Sequence, residues 1–151
     1  MKKDGLIPEK FYRKIVASMP VPCVDVVVTD GGRFLLGKRR RKPAQGKWWL
    51  PGGRVLKMEH LERAARRHVV SETGIRTMKI VKILGAQETM LGKSAQGPAS
   101  HTISVVFLAK VPKKEVALPP DSEFSEAKRF SRIPGFLHPY VKKMLSLAGF
   151  K

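Results

Sequence analysis

From Glu59 to Thr73 the chain contains neither glycine nor proline, alanine recurs, and Gly74 follows at once. High helix propensity closed by a glycine stop predicts an α-helix over 59–73. The preceding loop, RKPAQGKWWLPGG, is punctuated by Pro43, Gly46, Pro51, Gly52 and Gly53, so backbone geometry shapes it. On a helix, positions three and four apart share a face, so residues 68, 71 and 72 project together beneath this loop. Three carboxylates there could hold several hard cations. The trio is His68, Ser71 and Glu72. An acid near a helix C-terminus opposes the macrodipole, which favours a ligand role for Glu72 over a solvated one. Glu72, the carbonyl of Gly52 or Gly53, and a substrate phosphate would suffice for one Mg2+, with Mn2+ as an alternative.

The rest of the chain places strands around this helix. PEKFYRKIVAS (8–18) predicts a short leading helix after a first-turn proline. VPCVDVVVTD (21–30) and RFLLGKRR (33–40) read as a hairpin across DGG. Residues 75–91 and 101–111 read as two long strands, joined by GKSAQGPAS, the most mobile candidate. A short strand follows around AKRFSRI, and FLHPYVKKMLSLAGF closes as an amphipathic helix with Pro139 near its start. This order argues for one α/β domain spanning 1–151, with a mixed sheet and helices on its faces.

Lys and Arg number 30 against 12 Asp and Glu, a formal charge of +18 that attracts polyanions. The partner is then a nucleic acid or a small phosphorylated substrate, and the absence of finger, helix-turn-helix or RNP-type patterns favours the small molecule. Cys23 is the sole cysteine, which excludes an intrachain disulfide, a cysteine zinc cluster and a paired redox motif. It reads as a small buried apolar residue. No apolar run is long enough for a signal peptide or a membrane span, so a cytoplasmic protein is expected.

The run from Gly53 through Glu59 to Arg67, followed by Glu72, Gly74 and Ile75, resembles the Nudix box, with two of its glutamates replaced by His68 and Ser71. Together with FLLGKRRRKPAQGKWWLPGGRV (34–55), it is similar to the GDP-mannose mannosyl hydrolase branch of that superfamily, whose box is also short of acids. The likeness is specific from about Pro20 to Ile75 and continues weakly to about Phe130. It implies a Nudix-like α/β/α sandwich, a nucleotide substrate, Mg2+, and a homodimer.

It also implies roles. Arg39 and Arg54 match diphosphate-contacting arginines, whose planar guanidinium grips phosphate in bidentate fashion. Asp25 matches an aspartate at the sugar end. Arg67 matches the box arginine, available for substrate or for pairing with Glu59 or Glu72. Trp48 and Trp49 alternate faces, so one is core and the other can stack on a base, with Trp49 the one placed among the substrate contacts. Glu123 falls at a magnesium-ligand position, whereas Phe124 stands where the branch has its general-base histidine. Glu123 as ligand or base, Glu126 as base, or His101 reaching across are the remaining options. His68 is either a substrate contact or a packed replacement, and His60 and His138 read as surface residues.

Three functions are compatible with these residues. Water attacking the anomeric carbon of a nucleoside-diphosphate sugar needs only the departing diphosphate stabilised. A pyrophosphatase acting on ADP-ribose, a nucleotide sugar or a nucleoside triphosphate would work at phosphorus, where several metal ions normally assist. A non-catalytic nucleotide or RNA binder would account for Phe124 and the charge.

Overall fold

The computed structural model describes residues 7–42, 44–92 and 99–151, so most of the joining loop predicted as mobile lies outside the described residues. The elements are α1 (Glu9–Ser18), β1 (Val21–Thr29), β2 (Phe34–Arg39), β3 (Trp48–Trp49), β4 (Gly52–Arg54), α2 (Leu61–Thr73), β5 (Lys79–Leu91), β6 (Ser100–Lys110), β7 (Phe124–Phe130) and α3 (Pro139–Leu147). The strands form one seven-stranded mixed sheet along the path β3-β2-β1-β6-β5, with β4 added to β1 and β7 to β2.

β1 organises this sheet. β6 runs parallel to it over its full length, from Val21 opposite Thr102 to Thr29 opposite Lys110. On the other edge the partner changes midway: β2 takes Val28 and Thr29, and β4 takes Cys23, Val24 and Asp25. The predicted hairpin therefore exists only at its turn, where the Asp30 carboxylate accepts from the Gly32 and Arg33 amides and Gly31 adopts φ 103°. Beyond the turn β2 exchanges β1 for β3 at Gly37 and Lys38, while β7 pairs with β2 from Phe34 to Arg39. Gly37 lets the Phe124 ring lie against the β2 backbone, since a Cβ at that position would overlap the ring.

Valines make both cores. Val24, Val26 and Val28 pack with Leu35, Phe107 and Ala109 against Ala64, Ala65 and Val69 of α2. The opposite face, with Val27, Phe34, Leu36, Trp49 and Val106, is covered by Tyr140, Val141, Met144 and Leu145 of α3. Burying each such side chain is worth about 1.5–3 kcal/mol, which fixes a nine-residue β-branched run as the central strand. Helices on both faces of a mixed sheet give the expected α/β/α sandwich. Cys23 is buried as expected, and burial pushes its thiol up to about 12. Among the described residues no helix is long and apolar enough to cross a membrane.

Several boundaries differ from the sequence reading. α2 begins at Leu61 because Glu59 is used beforehand: its carboxylate accepts from the Leu56 amide at 2.9 Å and from Arg67. β5 begins at Lys79 because residues 74–78 are spent leaving the helix, with Ile75 and Met78 packed on the α2-side core. β7 begins at Phe124, ahead of AKRFSRI, because Phe124 pairs with Arg39 and is buried in the sheet.

Candidate active site

β4 is where the helix meets the chemistry. In an antiparallel pair, residues alternate between bonding the partner strand and pointing away from it. Val26 N–H bonds Pro51 O and Val55 N–H bonds Pro22 O, so Gly52 and Arg54 turn their backbone polar groups outward. Side chains of α2 satisfy that outward edge. The Gly52 amide donates to Glu72 Oε2 at 2.8 Å, and Arg54 O accepts from Arg67 Nη2 at 3.0 Å and lies 2.9 Å from His68 Nε2. The close approach requires glycines: a Cβ on Gly52 would overlap the Asp25 carboxylate, and one on Gly53 would sit 2.5 Å from His68 Cε1.

The acids therefore have separate tasks. Arg67 clamps Glu59 through Nε at 2.7 Å and Nη2 at 2.9 Å, which holds the Glu59 carboxyl down at about 2. His68 is committed to Arg54 O, and burial lowers its pKa. Ser71 is exposed and bonds the His68 carbonyl of its own helix. Glu72 alone reaches inward. It is only 5% exposed, and burial raises its carboxyl to about 8 against the opposing pull of the Gly52 amide and Arg39. Asp25 and Glu123 act on it with like charge.

A cleft of about 170 Å³ opens on the α3 side of the sheet beside this edge, lined by Asp25, Arg39, Arg54 and Trp49 among others. Asp25 is buried, and burial raises its carboxyl to about 6, opposed by hydrogen bonds from Tyr140 and Ser104 and by the Arg39 charge. Tyr140 Oη donates to Asp25 Oδ2 in a short contact. Arg39 ends β2 at a register shift, and its charge acts on both Asp25 and Glu72. The Arg54 guanidinium lies over the Tyr12 ring, 4.2 Å from its centroid.

Asp25, Arg39, Gly52, Arg54 and Glu72 are thus brought together. Glu123 stands beside them, its carboxylate 3.8 Å from Arg41 and electrostatically coupled to Glu72. Three expected site residues have other partners. Trp49 is mainly core, 8% exposed and stacked on Tyr140 at 5.6 Å, while it also borders the cleft. Arg67 holds Glu59 and β4 and does not line the cleft. His101 is not brought to the cleft: strand alternation aims Ser100, Thr102 and Ser104 there and turns His101 away, its Nε2 3.6 Å from Glu88 Oε2. Glu126 is exposed on β7, opposite Lys38. His138 caps α3, accepting from the Tyr140 amide, whereas it reads from sequence as a surface residue.

Sequence reasoning missed Tyr140, Ser104 and Ser122. Ser122 is buried, donates to the Glu72 carbonyl at 2.6 Å and accepts from the Phe124 amide, tying the end of α2 to β7. No local pattern could reveal it, because its partner lies 50 residues away.

A family model for the NUDIX domain matches residues 19–138. The chain belongs to the Nudix hydrolase family. It is 35% identical over 146 residues to the low-salt glycan biosynthesis protein Agl8 of Haloferax volcanii, covering 95% of this chain and 92% of that protein. It is 30% identical over 123 residues to the ADP-ribose pyrophosphatase of Methanocaldococcus jannaschii, covering 82% and 70%. Among solved structures, the MutT protein from Methanosarcina mazei Go1 superposes with a TM-score of 0.70 at 26% identity, covering 87% of this chain and 96% of that one.

Nudix hydrolases generally act with a divalent cation such as Mg2+. Among the described residues no three His, Cys, Asp or Glu side chains converge into a protein-only metal cage. A buried carboxylate with one neutral hydrogen bond and a raised pKa is undercompensated, which is the condition a cation relieves. The Nudix edge offers Glu72, the outward Gly52 carbonyl and nearby Glu123. That donor set fits one Mg2+ keeping water and substrate oxygens in its shell, and does not fit two or three ions.

Proposed function

We propose that this Nudix hydrolase cleaves a nucleoside-diphosphate sugar of the GDP-mannose kind at the sugar carbon. Water bonds to the anomeric carbon, the bond from that carbon to the β-phosphate oxygen breaks, and the nucleoside diphosphate leaves with the electron pair. The observation that carries this reading is the single inward acid of the Nudix box: His68 is spent on Arg54 O and Ser71 is exposed. Attack on phosphorus would bring a nucleophile against a charged diphosphate and needs heavier neutralisation. Attack on carbon leaves only the departing charge to be stabilised.

Arg39 and Arg54 sit where they can take that charge by bidentate hydrogen bonds. Glu72, Glu123 and the Gly52 carbonyl would hold Mg2+, which supplies further neutralisation of the diphosphate when bound. Asp25 orients the sugar end and accepts the proton of the incoming water. Burial lifts it towards neutrality, where a carboxylate is a more effective base than at its ordinary value. Phe124, buried in the sheet, takes no part. Relatedness to a glycan biosynthesis protein over 95% of the chain supports a sugar-bearing substrate.

A second reading, hydrolysis of the diphosphate itself, is favoured by the relatedness to an ADP-ribose pyrophosphatase. Phosphorus NMR of products from a nucleotide-sugar panel in oxygen-18 water separates the two. Cleavage at carbon gives intact nucleoside diphosphate and labelled sugar. Label in a nucleoside monophosphate or sugar phosphate refutes it.

A further inference from the structure

The cleft is electrically divided. Its β4 and β2 side carries Arg54 and Arg39, whereas its β6 and β5 side carries Ser104, Thr102, Ser100 and Thr89 with no charged side chain among them. In a chain of formal charge +18 that neutrality is notable: residues 83–91 and 100–109 contain no Lys or Arg at all. Register explains the row. Thr89 pairs with Thr102 and Leu91 with Ser100 across β5 and β6, while Ser104 lies opposite Cys23 in β1, next but one to Asp25. Alternate residues of a strand share a face about 6.6 Å apart, so the hydroxyls form a stepped line leading away from the Asp25 carboxylate.

We propose that this row is a subsite for the neutral, polyhydroxylated sugar of the substrate, and that Thr89 and Thr102 determine specificity for an uncharged sugar. The inference rests on the reading of the substrate as a nucleotide sugar. Each hydroxyl supplies one donor and two acceptors, the complement of a sugar hydroxyl, and offers nothing to a phosphate that the arginines do not offer better. At about 170 Å³ the cleft is smaller than the roughly 300 Å³ at which pockets for drug-sized ligands begin, so it takes one part of a nucleotide sugar and leaves the remainder in open groove. Asp25, between the arginines and the hydroxyl row, then stands at the junction of phosphate and sugar.

The test compares wild type with the double variant Thr89→Val and Thr102→Val, which keeps β-branched shape and removes both hydroxyls. Binding of GDP-mannose against GDP, and of ADP-ribose against ADP, is measured by calorimetry with Mg2+, or as KM and Ki where turnover is fast. Ser100→Ala is a milder second variant should the double variant melt early. Two lost hydrogen bonds predict about tenfold weaker binding of the nucleotide sugars with the free diphosphates unchanged. Equal weakening of sugar and diphosphate ligands would assign the row to the nucleoside and overturn the proposal, as would no change in either. Failure to bind either nucleotide sugar overturns it together with the substrate reading. The position of the oxygen-18 label reports on the cleavage site alone, so an error there is distinguishable from an error in the subsite.

Discussion

The phenol of Tyr140 donates to the carboxylate of Asp25 from 115 residues further along the chain, joining α3 to the middle of β1 at a residue that lines the cleft. The bond favours the ionised form of a carboxylate that burial pushes towards the protonated one. Tyr140 is thus a positioning residue: it fixes Oδ2 and keeps the group available as a base.

Tyr140→Phe removes that donor while preserving the ring stacked on Trp49. Burial has already raised Asp25 to about 6, and loss of the hydrogen bond raises it further. The acid limb of the kcat/KM profile should move to higher pH, with activity at pH 8 largely kept. A pH–rate series checks this, and a uniform loss at every pH would instead indicate a packing role.

Glu72→Gln should separate stability from turnover. Glutamine still accepts from the Gly52 amide, yet carries no charge for a cation. The folded carboxyl titrates near 8, above its ordinary 4.5. Its favourable contribution is therefore complete below about pH 4.5 and lost as pH rises through 8. In metal-free buffer at pH 8 the variant should be the more stable by on the order of 2 kcal/mol, with the gap closing by pH 4.5. Mg2+ should raise the Tm of wild type only, and kcat of the variant should fall about 100-fold or more. Normal hydrolysis by the variant would remove Glu72 from the metal site.

Glu59 shows the opposite sign. Arg67 depresses its carboxyl to about 2, so its contribution is present above about pH 4.5 and lost as pH falls through 2. Because Arg67 is partly exposed, solvent screening limits the effect. Glu59→Gln should cost about 1–2 kcal/mol at pH 7 by urea titration, narrowing steadily in acid.

The elements set by local chemistry were legible in the sequence. Gly74 ends α2 in a left-handed conformation at φ 77°, Pro139 opens α3, and the valine run of β1 needs two covered faces. Helical spacing put Glu72 on one face with His68 and Ser71 without choosing among them, and the fold leaves Ser71 exposed while Glu72 meets the Gly52 amide. Contacts made at long range were not legible. Nothing near Tyr140 or Ser104 announces Asp25, and His101 looked available because strand phase decides its direction and sequence leaves that phase open by one residue. The tryptophans were ambiguous for a related reason: two adjacent ones alternate faces, and only the packed α3 shows that Trp49 lies on the core side.

Because β1 exchanges β2 for β4 halfway along one edge, the connection after β2 is held outside both seams, by Arg39 N–H on Lys47 O and Gly46 N–H on Arg39 O. No residue paired in either seam belongs to that connection. The acid-bearing helix and its glycine anchor can stay fixed while the rim of the groove is redrawn for a different guest.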